Sequence, residues 1–285
     1  VVGASLRRLE GRVLALTRSV QRLRLGLGPS DPSPTAVVTT PAYESARPRV
    51  SVIIGLCDRR DLVTEALGSA ADSIGAPFEI VLQDDGSTDG SFDAVRRFMD
   101  EHPDLPMIAV RRELNQGPSA TRSDLVERAR ADYLFDLDAD AGVYPACLAR
   151  LAGALDADPD AALAHCIVAD RRDGEIVWTT AFEGWGPGRF REGNCIGAMA
   201  MLRRGALERV GGRAASMAFG GEDSDLRARP AEAGERAVFV PQVLAWRRMS
   251  DASMIMGPRV DEAGPRSRIR PGAPALTADR TSKEC

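Results

Sequence analysis

Histidine and paired cysteine are what this chain of 285 residues has least of. It contains two histidines, His102 and His165, and five cysteines (Cys57, Cys147, Cys166, Cys195, Cys285) that are odd in number, scattered and without a C-x-x-C pair. That combination excludes a disulfide framework and a zinc site of the usual Cys/His kind, and it predicts a reducing compartment, the cytoplasm. An excess of positive charge is also missing. The net charge is -4 and the pI ≈ 5.4, which argues against a nucleic-acid partner. No apolar run approaches the length of a transmembrane helix, and no signal peptide is visible. Because the chain opens on Val1 rather than Met, a missing N-terminal piece is expected. At 44% hydrophobic residues, the length suffices for one large α/β domain or two small ones with a real core.

Residues 5–27 carry a 3-4 spacing of Leu6, Leu9, Val13, Leu16, Val20, Leu23 and Leu27. The remaining positions hold Arg7, Arg8, Arg12, Arg18, Arg22 and Arg24 against Glu10. This predicts an N-terminal helix over 1–27 that forms a short coiled coil in a homo-oligomer, rests on anionic lipid at the inner face of a membrane, or packs on its own domain. Residues 28–48 turn to Pro, Ser, Thr and Asp without periodicity and read as a linker.

From residue 49, strands and helices alternate. "RVSVIIGL" (49–56), "FEIVLQDD" (78–85), "PMIAVRR" (106–112) and "YLFD" (133–136) read as strands. Helices are predicted at 60–74, 89–100 and 118–130. Such alternation means a parallel sheet with right-handed crossovers, whose ligands bind beyond the carboxyl ends of the strands. Further strands are predicted at 161–169, 175–180, 195–204 and 237–241, with a helix at 222–234 that Pro230 interrupts. Residues 257–285 read as a largely disordered tail.

Three acidic clusters fall at the element boundaries. In "QDDGSTDGS" (83–91) a βα turn with a helix cap accounts for Gly86, Ser87, Thr88 and Asp89. It does not account for Asp84, because a carboxylate ending a buried strand needs a hydrogen-bond partner. A nucleobase N–H would supply one. In "YLFDLDADAG" (133–142), Asp136, Asp138 and Asp140 share one face of an extended chain and call for a cation among them. A hard divalent ion suits such oxygens, as does plain solvation at a strand terminus. In "FGGEDSDLRAR" (219–229), Glu222 and Asp223 open a helix, where acids are routine and a general base is also possible.

Seven pieces in order, "VSVIIGL", "EIVLQDDGSTDGS", "LNQGPSATRSD", "ADYLFDLDADA", "GNCIGAMAMLRRGALERVGG", "FGGEDSDLRAR" and "WRRMSDASM", resemble the inverting nucleotide-sugar glycosyltransferases of family 2 over residues 49–256. The resemblance implies an α/β domain of GT-A type, with a Rossmann-like, mostly parallel central sheet flanked by helices. It implies a donor sugar on UDP, dTDP or GDP, an acceptor hydroxyl on a molecule the sequence does not identify, and Mn²⁺ or Mg²⁺. Asp84 matches the aspartate that reads the base, Asp85 begins the turn beside it and counts with it among the nucleotide-sugar-binding residues, and Arg122 matches an arginine of the nucleotide pocket. Asp138 and Asp140 match the D-x-D, with Asp140 the direct metal ligand and Asp138 assisting at the donor nucleotide through the ribose or a metal-bound water. Asp223 matches the general base, with Glu222 as its neighbour. The chain departs from the family pattern at Cys57, where an aromatic is common, at Ala141, where a third aspartate is common, and in "WRRMSDASM", which lacks a downstream histidine. These departures motivate an alternative, a non-catalytic binding or scaffold protein that keeps the fold.

Overall fold

The computed structural model describes residues 34–181, 199–209, 233–249 and 267–269. Four parallel strands form its centre in the order β4-β3-β2-β5: β2 (Val50–Leu56), β3 (Phe78–Asp85), β4 (Met107–Arg112) and β5 (Tyr133–Asp136). Helices α1 (Arg60–Ala71), α2 (Ser91–Glu101) and α3 (Pro118–Arg128) make the crossovers. β2 is largely apolar and β3 is apolar through Ile80, Val81 and Leu82; both are buried on both faces, as strands covered by helices on either side must be.

Alternation along these strands divides the core in two. Val52, Ile54, Ile80 and Leu82 pack with Val63 and Leu67 of α1 and with Val95 and Phe98 of α2. Ile53, Val81 and Leu134 point the other way, with Leu125 near the end of α3. The chain therefore winds β2, β3, β4 outward on one face and returns over the other face to place β5 beside β2. That reversal puts the switch point of the sheet, where α/β folds bind ligands, at the carboxyl ends of β2 and β5.

The sheet continues past β5. β9 (Ala200–Arg203) pairs antiparallel with both β5 and β7 (Ala161–Arg172), so β7 runs parallel to β5. β10 (Arg236–Arg248) lies parallel to β7, and β6 (Ala141–Val143) closes this side antiparallel to β10. β8 (Glu175–Ala181) folds back on β7. Helix α4 (Cys147–Ala157) packs under β7 through Leu148, Leu151 and Leu155, and α5 (Arg204–Arg209) follows β9.

Three expectations change. The stretch 28–48 is not all linker: Ala36–Thr39 forms β1, antiparallel to β4 at the sheet edge. Its β-branched "AVVT" suits an edge strand, and Tyr43 beyond it is buried under the Arg130 guanidinium, 3.9 Å from the ring centre. The strand expected to end at Pro241 runs on to Arg248. Register shifts between Val240 and Val243 form an irregularity that absorbs the proline, which has no N–H to give a ladder. In the tail, Ser267–Ile269 forms β11, paired with β8. The predicted helices over 1–27 and 222–234 fall on residues outside those described, apart from the last two positions of the second.

Candidate active site

The carboxyl end of β3 delivers two aspartates into different surroundings. Asp84 is fully buried, and its Oδ1 accepts from the Ser87 N–H at 2.9 Å. Its Oδ2 has no hydrogen-bond partner among the described residues; Arg111 Nε stands 3.9 Å away, too far to donate. Burial holds this carboxyl above the ordinary aspartate range, although the Ser87 bonds and Arg111 pull it down.

Asp85 is engaged by backbone. Its Oδ1 and Oδ2 accept from Gln116 N–H at 3.0 and 2.9 Å, and Oδ2 accepts from Gly117 N–H at 2.8 Å. Arg112, itself tied to Asp124, lies 3.7 Å from Asp85 Oδ1. Burial raises this carboxyl too, against the pull of those backbone bonds and Arg112. The resemblance places Asp85 with the nucleotide-binding residues. In the structure it holds the 115–117 loop that starts α3, where Gly117 (φ 88) precedes Pro118 at the first helical turn. The turn itself depends on Gly86, at φ 78, where a Cβ would stand 2.8 Å from the Asn115 nitrogen.

The loop after β2 is laced to this turn. Asp58 N–H donates to Ser87 Oγ at 2.9 Å, and Thr88 N–H donates to Asp58 Oδ1 at 2.8 Å. Arg59 N–H donates to Ser91 Oγ at 3.0 Å, and Arg60 N–H donates to Asp89 Oδ2 at 3.0 Å. Asp89 also accepts from Ser91 N–H at 2.9 Å, so one carboxylate serves the first turns of α1 and α2. Cys57, half-buried beside them, receives the Asn115 amide at 3.1 Å. Burial, then the Asp58 charge, raises its thiol, which speaks against a thiolate nucleophile.

β5 ends at Asp136, so the regular strand does not carry all three acids of "DLDAD". Leu137 and Ala139 are buried, and Asp138 and Asp140 are partly exposed in the bend that leads to β6. Their positive neighbours come from elsewhere in the fold. Arg122 of α3 places Nε 3.1 Å from Asp136 Oδ2 and Nη2 3.1 Å from Asp138 Oδ1. Arg59 Nε is 3.9 Å from Asp140 Oδ2. Thus Asp84, Arg122, Asp138 and Asp140 come to the carboxyl end of the central strands, with β2 between the strand of Asp84 and the strand that leads to Asp138.

The donor chemistry at Asp138 and Asp140 fits a divalent ion of the Mg²⁺ or Mn²⁺ kind. Both offer hard carboxylate oxygens open to solvent, 34% and 46% exposed in their side chains. Among the described residues no three His, Cys, Asp or Glu side chains gather as a complete cage. One or two carboxylates, with waters and substrate phosphates filling the other positions, is the usual arrangement for Mg²⁺. Asp223 and Glu222 lie outside the described residues. Two contributors were not expected from sequence: Arg111 beside Asp84, and the Arg122 bridge to Asp136. The only signal for either was an acid flanked by otherwise apolar strand.

Residues 51–211 match the family model of glycosyl transferase family 2. Undecaprenyl-phosphate 4-deoxy-4-formamido-L-arabinose transferase of Edwardsiella ictaluri is 33% identical over 127 residues, 44% of this chain and 38% of its own length. Poly(ribitol-phosphate) beta-glucosyltransferase of Bacillus spizizenii is 28% identical over 95 residues, 32% of this chain and 15% of that protein. The matches thus span well under half of these curated relatives. Among solved structures, S. aureus TarS 1-349 in complex with UDP-GlcNAc superposes with a TM-score of 0.59 at 18% identity, covering 74% of this chain and 62% of that one. The mannosyltransferase PcManGT from Pyrobaculum calidifontis, in complex with GDP-Man and Mn²⁺, gives a TM-score of 0.54 at 26% identity, covering 85% of this chain and 66% of that one. These neighbours share the mostly parallel sheet with flanking helices, the GT-A arrangement. With more than half of its residues matched and that sheet in common, the chain belongs to glycosyl transferase family 2.

Proposed function

We propose that this protein is a glycosyltransferase that moves a sugar from a nucleotide-diphosphate sugar to an acceptor hydroxyl with inversion. The observation that carries this reading is Asp84. A fully buried carboxylate oxygen without a hydrogen-bond partner among the described residues is costly, and an imide or amide N–H of a nucleobase satisfies it. Uracil, thymine and guanine all carry such a group, and the solved neighbours hold UDP-GlcNAc and GDP-Man.

Two interstrand spacings of about 4.8 Å separate the strand of Asp84 from the strand that leads to Asp138, which leaves room for a nucleoside between base pocket and diphosphate. On this reading Asp138 and Asp140 hold a divalent ion on the donor diphosphate, as Mn²⁺ accompanies GDP-Man in PcManGT. When bound there, the ion would act as a Lewis acid on the leaving group. Arg122 orients the nucleotide end of the donor. Asp85, Asp58 and Asp89 keep the loops around the pocket in place. Asp223, with Glu222 beside it, takes the acceptor proton as its oxygen attacks the face opposite the leaving diphosphate. Inversion follows from that single displacement.

A thermal-shift series of the full chain with UDP, dTDP and GDP, with and without Mn²⁺, tests the reading. Ligand at a hundredfold excess over its Kd stabilises by about 2.7 kcal/mol. At least one nucleotide should raise Tm, and Mn²⁺ should increase the rise. A folded protein indifferent to every nucleotide would contradict it.

A further inference from the structure

Asp136 has no part in the mechanism above, yet it is an acid on a buried strand, 2% exposed, with the Arg122 guanidinium against it. That guanidinium spans two carboxylates of different character. Nε lies 3.3 Å from Asp136 Oδ1 and 3.1 Å from its Oδ2, within the core. Nη2 donates to Asp138 Oδ1 at 3.1 Å, at the mouth of the site where Asp138 meets solvent. Breaking the inner contact strands a charge in a low-dielectric interior, whereas breaking the outer one leaves Asp138 in reach of water. The two ends have similar lengths and differ in burial, so water or an ion can replace the outer contact at less cost than the inner one.

We infer that Asp136 is a positioning residue for Arg122: it anchors the guanidinium so that the outer arm occupies Asp138 when no metal is bound and yields that carboxylate to a divalent ion. Arg122 keeps its contact with Asp136 as it does so, and Nη2 remains beside the site to donate to an anionic donor group. The same arginine thus opposes metal binding without donor and rewards it with donor, which couples the two ligands. The inference rests on the metal reading of Asp138 and Asp140 proposed above.

Mn²⁺ titration followed by the electron paramagnetic resonance signal of the free ion tests this on the full chain. The native protein is compared with Asp136→Asn and with the charge-balanced pair Arg122→Gln/Asp136→Asn, each with its melting curve. In Asp136→Asn the guanidinium loses its buried anionic partner, and its attraction to Asp138 gains weight. Mn²⁺ affinity should fall about fivefold and Tm should drop. In the pair, no stranded charge remains, so Tm should recover relative to Asp136→Asn, and with the competitor gone Mn²⁺ should bind about fivefold more tightly than in the native protein. Affinity in the pair equal to or below native would overturn the exchange, and an unchanged Tm and affinity in Asp136→Asn would overturn the anchor. Absence of Mn²⁺ binding in all three proteins, with nucleotide binding retained, would overturn the exchange and leave the nucleotide reading standing. Loss of both would count against the proposed function itself.

Discussion

Strand β3 carries a fully buried acid near each end, and the two are treated in opposite ways. Glu79, near the amino end, accepts from Ser51 Oγ at 2.6 Å, Arg130 N–H at 2.8 Å and Arg130 Nε at 2.7 Å. Ser51 in turn receives the Ala131 N–H at 3.1 Å, so one network fastens the chain entering β5 to β2 and β3. Asp84, at the carboxyl end, has one oxygen bonded to Ser87 and the other without a hydrogen bond among the described residues. The same strand thus satisfies one buried charge completely and leaves the other short of a donor. On the proposed reading, that deficit lies at the switch point of the sheet because a ligand supplies the missing bond there.

The largest expected effect lies at the satisfied end. Glu79→Ala removes the buried carboxylate of a part-buried ion pair and takes one acceptor from the Arg130 guanidinium, the Arg130 backbone N–H and Ser51. It should lower unfolding free energy by about 2 kcal/mol in urea denaturation, chiefly through the hydrogen bonds lost to Ser51 and the Arg130 backbone. A loss comparable to an exposed ion pair would mean that the network is not what holds this end together.

A smaller effect, of opposite sign, is expected at the other end. Burial holds the Asp84 carboxyl above its ordinary value of 3.8. A raised carboxyl binds more protons folded than unfolded, so it subtracts stability as the pH rises from the ordinary value through the raised one. Asp84→Asn removes that term. Its Tm relative to the native protein should climb with pH across that window and level off above it, in melting curves from about pH 4 to about pH 8. A relative Tm that falls over the same range would show that Asp84 is stabilised in its charged form without a ligand.

How much of this was legible in the sequence differs between the two ends for a physical reason. Local signals placed the elements well. β3 falls on the expected 78–85, and β2 and α3 begin within a residue of expectation, because apolar runs, Pro118 and the glycine turns are contiguous signals. α1 stops at Ala71, short of the expected 74, because the chain leaves the helix at Asp72 and Ile74 is largely exposed. β1 was hidden in a proline-rich stretch, since an edge strand is defined by its partner β4 rather than by its own periodicity.

In the site, Asp84 stood out by its residue type at a strand end. Asp85 did not reveal that backbone N–H groups of residues 116 and 117 would occupy it, because those groups carry no side-chain signature. Asp136, Asp138 and Asp140 predict one shared strand face, but β5 ends at Asp136 and the two later acids lie in the bend beyond it. That Arg122 answers for two of them depends on how α3 crosses β2 and β5, a tertiary fact. Glu79 carried its own clue, an acid inside "FEIVLQDD", but its partners Ser51 and Arg130 lie 28 and 51 residues away.

The contrast between the two acids is tested most directly by titrating nucleotide into three proteins well below their melting temperatures: native, Asp84→Asn and Glu79→Gln. Whichever of UDP, dTDP or GDP binds the native chain should bind Asp84→Asn about tenfold or more weakly, because the amide offers a donor where the base needs an acceptor. The same nucleotide should bind Glu79→Gln with native affinity. Equal losses in both variants, or no loss in Asp84→Asn, would contradict the assignment of the unsatisfied oxygen of Asp84 to the nucleobase.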